Sequence, residues 1–116
     1  MTVLSKLDIQ SLEKLWINQD FNKERLKILK QKSSLPTDSK HLKRNLETIT
    51  IAIDTLSSEI DSDLKTIVEM RYWDKKGVCY EWEEIADHLF MSRSKVFRKR
   101  NVLLRKTADL IGWVSV

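Results

Sequence analysis

The sequence predicts an all-α fold: an N-terminal long helical hairpin or coiled-coil-like pair of helices, then a three-helix helix-turn-helix domain. Three observations predict it. Two Gly and one Pro in 116 residues leave few places to turn, well below the usual few per cent of each. Leu42, Leu46, Ile49, Ile53, Leu56 and Ile60 follow one another at spacings of 4-3-4-3-4, the period of a helical heptad seam. Residues 81–106 read as an acidic amphipathic segment, a turn and a basic helix. The expected division is a helical region over 1–60, for dimerisation or partner binding, and a DNA-binding domain over 61–116.

Residues 3–32 lack Pro and Gly and predict one helix, with Leu12, Leu15, Leu26 and Leu29 at heptad-compatible positions. Gln19 and Asn22 interrupt that stripe, and Trp16 and Phe21 are the residues expected to cover the gap. Ser33 and Ser34 are poor interior residues and Pro36 disfavours helix at Leu35, so the helix should end in the SSLP run. Thr37, Asp38 and Ser39 are N-cap candidates for the next helix. That helix carries the seam, which can face the first helix or the same helix of a second copy. Leu42, Leu46, Ile49, Ile53, Leu56 and Ile60 are therefore the candidate dimerisation residues.

Asp61 or Ser62 can cap a helix over 63–73, where acidic groups suit the positive helix start. Its inward stripe is Leu64, Ile67, Val68, Arg71 and Tyr72. Residues 74–80 read as a loop in which Gly77 is free to take positive φ, and Lys75 and Lys76 are candidates for a phosphate contact, against the commoner role of solvated loop lysines. In the helix expected over 81–89, Trp82, Ile85, Ala86 and Leu89 share the inner face at i, i+3, i+4 and i+7. Glu81, Glu83, Glu84 and Asp87 lie outside. Ser92 should cap the last helix. At 100° per residue Val96, Phe97, Lys99, Arg100, Leu103, Leu104, Thr107 and Ile111 fall on one side of it. Ser94, Lys95, Arg98, Asn101, Val102, Arg105 and Asp109 fall on the other, with Arg93 at the boundary. Leu110, Ile111, Trp113 and Val114 are expected to cover the core.

Charge is distributed unevenly. Net charge is +4 and the pI about 9.2. Residues 1–60 hold ten basic and eight acidic side chains, 61–87 four and eight, and 88–116 seven and one. Positive charge gathered on one helix suits a polyanion. Arg can meet guanine bidentately and Asn adenine. The candidate DNA-binding residues are Arg93, Ser94, Lys95, Arg98, Lys99, Asn101 and Arg105. Lys99 and Arg105 are assigned to phosphates, and Arg100, on the apolar side, to a structural role.

Other chemistry finds little to stand on. The one cysteine, Cys79, and two histidines, His41 and His88, have no metal-ligand spacing. The Asp61/Asp63 pair suits capping better than a metal. No nucleophile triad or Gly-rich phosphate loop is visible, so no enzyme, metal or cofactor is expected. No apolar run approaches the roughly 18 residues of a membrane span. The N-terminus lacks a signal pattern, and a cytoplasmic protein without a membrane partner is expected.

Residues 63–112 resemble region 4 of bacterial sigma factors, and more closely the small phage transcriptional regulators of the RinA and ArpU type. The resemblance rests on Val68-Glu69-Met70-Arg71-Tyr72-Trp73, on Trp82-Glu83-Glu84-Ile85-Ala86, on Ser92 with Val96-Phe97-Arg98, and on the tail Thr107 to Gly112. It implies a phage- or prophage-encoded regulator acting on double-stranded DNA, with RNA polymerase a further candidate partner. A single helix-turn-helix offers few base contacts, so a homodimer on paired half-sites is expected. A protein-interaction module or a terminase small subunit is the alternative. One position departs from the pattern. Phe90 stands where such motifs often place Gly, so either the turn takes another geometry or packing of Phe90 offsets the strain.

Overall fold

The structure, a computed structural model, describes residues 3–32, 34–74 and 79–114. Among them lie six helices and no strand: α1 (Lys6–Ile17), α2 (Gln19–Lys30), α3 (Thr37–Glu59), α4 (Ser62–Arg71), α5 (Trp82–His88) and α6 (Arg93–Ile111). The fold class is all-α.

The single helix expected over residues 3–32 is two helices. Ser5 opens α1 with a capping box: its Oγ accepts from the Asp8 N–H, and the Asp8 carboxylate accepts from the Ser5 N–H. The chain leaves α-geometry at Asn18 (φ −93°, ψ 14°). There the Trp16 carbonyl accepts from the indole N–H of Trp73 at 2.7 Å, a partner 57 residues away that no local pattern announces. Gln19 then turns inward. Its amide donates to the Thr50 carbonyl at 3.0 Å and to Asp54 at 3.2 Å. The polar gap in the stripe is thus a buried hydrogen-bonding site. Trp16 is fully buried, but Phe21 is 61% exposed and covers nothing.

Nor do Thr37, Asp38 or Ser39 cap α3. Pro36 takes the cap position (φ −58°, ψ 157°) with no side-chain cap bond, its ring having already fixed φ. Asp61 does cap α4, its Oδ1 accepting from the Leu64 N–H at 2.8 Å. Ser92 caps α6 through the Lys95 N–H at 3.1 Å.

The heptad seam of α3 closes on the chain's own helices. Leu46, Ile53 and Leu56 are buried, and Leu42, Ile49 and Ile60 are partly buried. α3 packs on α2 along one side and on α6 along another. Three of the six candidate dimerisation residues, Leu46, Ile53 and Leu56, are therefore core residues of one chain, closed to a second copy.

The same core ignores the division expected at residue 60. Leu12, Trp16, Ile53 and Leu56 share one cluster with Leu64, Ile67, Val68, Tyr72, Ile85, Ala86, Val96, Leu103, Leu104 and Ala108. α6 touches α1, α3, α4 and α5. Deep in this cluster the Trp16 indole donates to Thr107 Oγ1 at 3.0 Å, while Thr107 Oγ1 donates to the Leu103 carbonyl at 2.9 Å. Gly112, in the left-handed region at φ 69°, ends α6, and the following Trp113 N–H returns to the Ala108 carbonyl. The Trp113 indole then donates to buried Asp8 at 3.0 Å. Of the expected covering residues, Ile111 and Trp113 pack on the core, whereas Leu110 and Val114 stand exposed.

Thr107→Val keeps the shape but leaves the Trp16 indole without its acceptor. Urea unfolding should show a loss of about 1–3 kcal/mol, in one transition that reports both ends of the chain. An unchanged midpoint would show that this bond contributes nothing.

Candidate nucleic-acid interface

α5 is short, and its position depends on how it joins α6. The Phe90 N–H returns to the Asp87 carbonyl and the Met91 N–H to the Ala86 carbonyl, at 3.2 and 3.1 Å. These two bonds make a Schellman ending, which needs a left-handed residue between helix and exit. That residue is Phe90, at φ 54°. Neither expected resolution of the Phe90 departure holds. The turn keeps the geometry that suits Gly, and no packing offsets it, because Phe90 is 97% exposed. The left-handed conformation costs a residue with a Cβ roughly 1–2 kcal/mol.

Aromatic rings and guanidinium groups fix α5 against α4 and α6. The Trp82 ring lies 5.0 Å from the guanidinium carbon of Arg71 in α4 and 5.2 Å from that of Arg100 in α6. Phe97 meets Trp82 at 5.2 Å between ring centres and Arg100 at 4.8 Å. Such contacts contribute about 0.5–2 kcal/mol each, more where water is excluded. Arg71 also donates to the Tyr80 carbonyl at 2.9 Å, tying down the chain before α5. Arg100 is structural, as its place on the apolar side predicts, and its partners are the rings of Trp82 and Phe97 and Asn101 Oδ1. Tyr72 seals the far side. Its hydroxyl donates to Glu13, and burial first, then the Glu13 charge, holds its pKa above the ordinary value.

The structure divides the seven candidate DNA-binding residues. Arg93, Ser94, Lys95 and Arg98 are exposed on the first turns of α6. Arg93 is held by Glu83 at 2.8 Å and lies over Phe97. Both partners of that pair are more than half exposed, so the bond is weak and exchangeable. Among the described residues no carboxylate lies within ion-pairing distance of Lys95 or Arg98. Lys99, Asn101 and Arg105 are only partly exposed. Lys99 reaches Asp61 at 3.3 Å and Asp63 at 3.9 Å, so its charge is spent on the start of α4. Asn101 accepts two bonds from Arg100.

Lys106 is exposed and was not among those candidates. Its signal was available in the sequence, since it stands eleven residues after Lys95, three helical turns along the same side. Val102 fills the interval and is exposed. Glu81, Glu83, Glu84 and Asp87 are exposed on α5, so an acidic flank adjoins the basic one. Lys75, Lys76 and Gly77 lie outside the described residues. Among those described, no group of three His, Cys, Asp or Glu side chains is placed to hold a metal. Among the described residues no helix is long and apolar enough to cross a membrane.

Comparison with protein-family models, with curated proteins and with solved structures finds no match.

The Leu64 backbone N–H, and then Lys99, hold the Asp61 carboxylate below its ordinary value of 3.8. A depressed carboxylate stabilises the fold above its unfolded pKa, and that contribution fades as pH falls through the folded value. Asp61→Asn keeps a cap but removes the charge. It should lower stability at neutral pH by less than about 1 kcal/mol, since the Asp61 carboxylate is more than half exposed. Below the carboxylate range, denaturation curves of the two proteins should coincide. A difference that persists in acid would show that the charge is not its cause.

Proposed function

We propose that α4, α5 and α6 form a helix-turn-helix that binds double-stranded DNA sequence-specifically, with α6 in the major groove, and that the protein regulates transcription. The observation that carries this reading is the exposed basic side of α6. Arg93, Ser94, Lys95, Arg98 and Lys106 project to solvent, and the sole carboxylate of α6, Asp109, lies in its last turn. A face of this kind supplies donors for base edges and cations for phosphates. The partly exposed Arg105 is a phosphate contact in this reading, and Lys99 is removed from it.

The acidic flank of α5 sets the approach. Phosphates are repelled by Glu81, Glu83, Glu84 and Asp87, so the duplex is met from the α6 side. One helix offers few base contacts, so two copies on paired half-sites are part of the proposal. Their contact lies outside the buried seam residues Leu46, Ile53 and Leu56. The phage or prophage setting rests on the motif resemblance alone.

Sequences selected from a random duplex pool provide the ligand for the test. Arg98→Ala should weaken binding to the selected site by about 1–3 kcal/mol, and Lys95→Ala should reduce the salt slope by about one. Lys99→Ala should change affinity by no more than about 0.5 kcal/mol, as a substitution off the interface does. Failure of the wild-type protein to bind any duplex at low salt would sink the DNA reading and leave the basic face to a protein partner.

A further inference from the structure

Phe90 combines two costs with no return inside the chain. Its backbone is in the left-handed region at φ 54°, where Gly is free of strain and Asn or Asp is tolerated. Its ring is 97% exposed, more than any other large hydrophobic side chain described. The Schellman bonds at Phe90 and Met91 come from backbone N–H groups, so Gly would make them equally well. The ring is therefore not needed for the turn. It stands two residues before Ser92, the cap of α6, beside the exposed Arg93, Ser94 and Lys95.

We propose that Phe90 is a specificity-determining residue that meets thymine methyl groups at the edge of the major groove, next to the base contacts of α6. The proposal rests on the DNA-binding reading above. Three observations favour DNA as the occupant. The ring is exposed at a turn whose flanking Leu89 and Met91 pack on the core, unlike the broad apolar patch that marks a protein interface. Of the two cations beside it at the start of α6, Lys95 has no described carboxylate in ion-pairing distance, and Arg93 has only an exposed pair with Glu83. The thymine methyl is the one apolar group the major groove displays, and Phe is among the side chains that read it. Placed there, the ring discriminates thymine from cytosine by contact rather than by hydrogen bonding. The rigid left-handed turn holds it in place before the duplex arrives.

Two variants and two duplexes test this. Phe90→Gly relieves the turn and removes the ring; Phe90→Tyr keeps an aromatic ring. The probes are the duplex selected by the wild-type protein and the same duplex with every thymine replaced by uracil, which lacks only the methyl. Phe90→Gly should raise the melting temperature by a few degrees, as relief of turn strain does in a small domain. It should also weaken binding to the thymine duplex at least tenfold. Phe90→Tyr should bind within about threefold of wild type. Uracil substitution should weaken wild type severalfold and leave Phe90→Gly unaffected. Equal affinity of Phe90→Gly and wild type would overturn the proposal and hand the ring to a protein partner. A lower melting temperature together with lost binding would make Phe90 a structural residue, and equal wild-type affinity for both duplexes would remove thymine as its target. If the wild type binds no duplex, the DNA reading itself has failed, which is a different result from each of these.

Discussion

α6 packs on α1, α3, α4 and α5, and one buried hydrogen bond ties it from inside to the first helix of the chain. The Trp16 indole reaches from α1 to Thr107 across 91 residues of sequence. Trp16 is the largest fully buried side chain described, and its N–H has to find an acceptor in an apolar interior. Only a hydroxyl that already serves its own helix stands there. Thr107 gives its proton to Leu103 and its lone pair to Trp16, so neither group is left unsatisfied. At the other face of Trp16, Trp73 packs with ring centres 5.6 Å apart and donates to the Trp16 carbonyl. One residue thus sets the end of α1, the exit from α4 and the depth of α6.

That arrangement explains what could be read in advance and what could not. Caps and helix faces are local, and most were legible, the cap of α3 excepted. Asp61, Ser92, Ile85, Ala86 and the inward set of α6 all follow from spacing and side-chain chemistry. The break at Asn18 was not legible, because its cause is Trp73 and Thr50, distant in sequence. The heptad seam told which face of α3 is buried but not what buries it. A period is a property of one helix, and the covering partner is a property of the fold. Gln19 misled for a related reason. A polar residue in an apolar stripe reads as a gap until the carbonyl of Thr50 is known to lie beside it.

The candidate interface was half legible for the same physical reason. Charge identified the right helix, but charge does not say which cations are free. Lys99 and Arg98 are adjacent in sequence and 100° apart on the helix. One falls toward the acidic start of α4 and the other toward solvent. Sequence assigned both to DNA; geometry gives Lys99 to Asp61 and Asp63. Asn101 went the same way, to Arg100.

The guanidinium groups of Arg71 and Arg100 show why the basic face can be so uniform. Both flank Trp82, and both are partly buried. Had they been paired with carboxylates, α5 would have had to turn its glutamates inward. Each inward ion pair carries a desolvation penalty that Coulomb attraction rarely repays in full. Aromatic faces accept the same cations without placing an anion there. A lysine at either position would lose the flat stacking that guanidinium allows. The glutamates of α5 are thereby left outside, and cations not needed for packing are left on α6. The division of charge between the two helices is thus a consequence of how the aromatic cluster is packed. In the DNA-binding reading it is also what restricts the duplex to one side of the molecule.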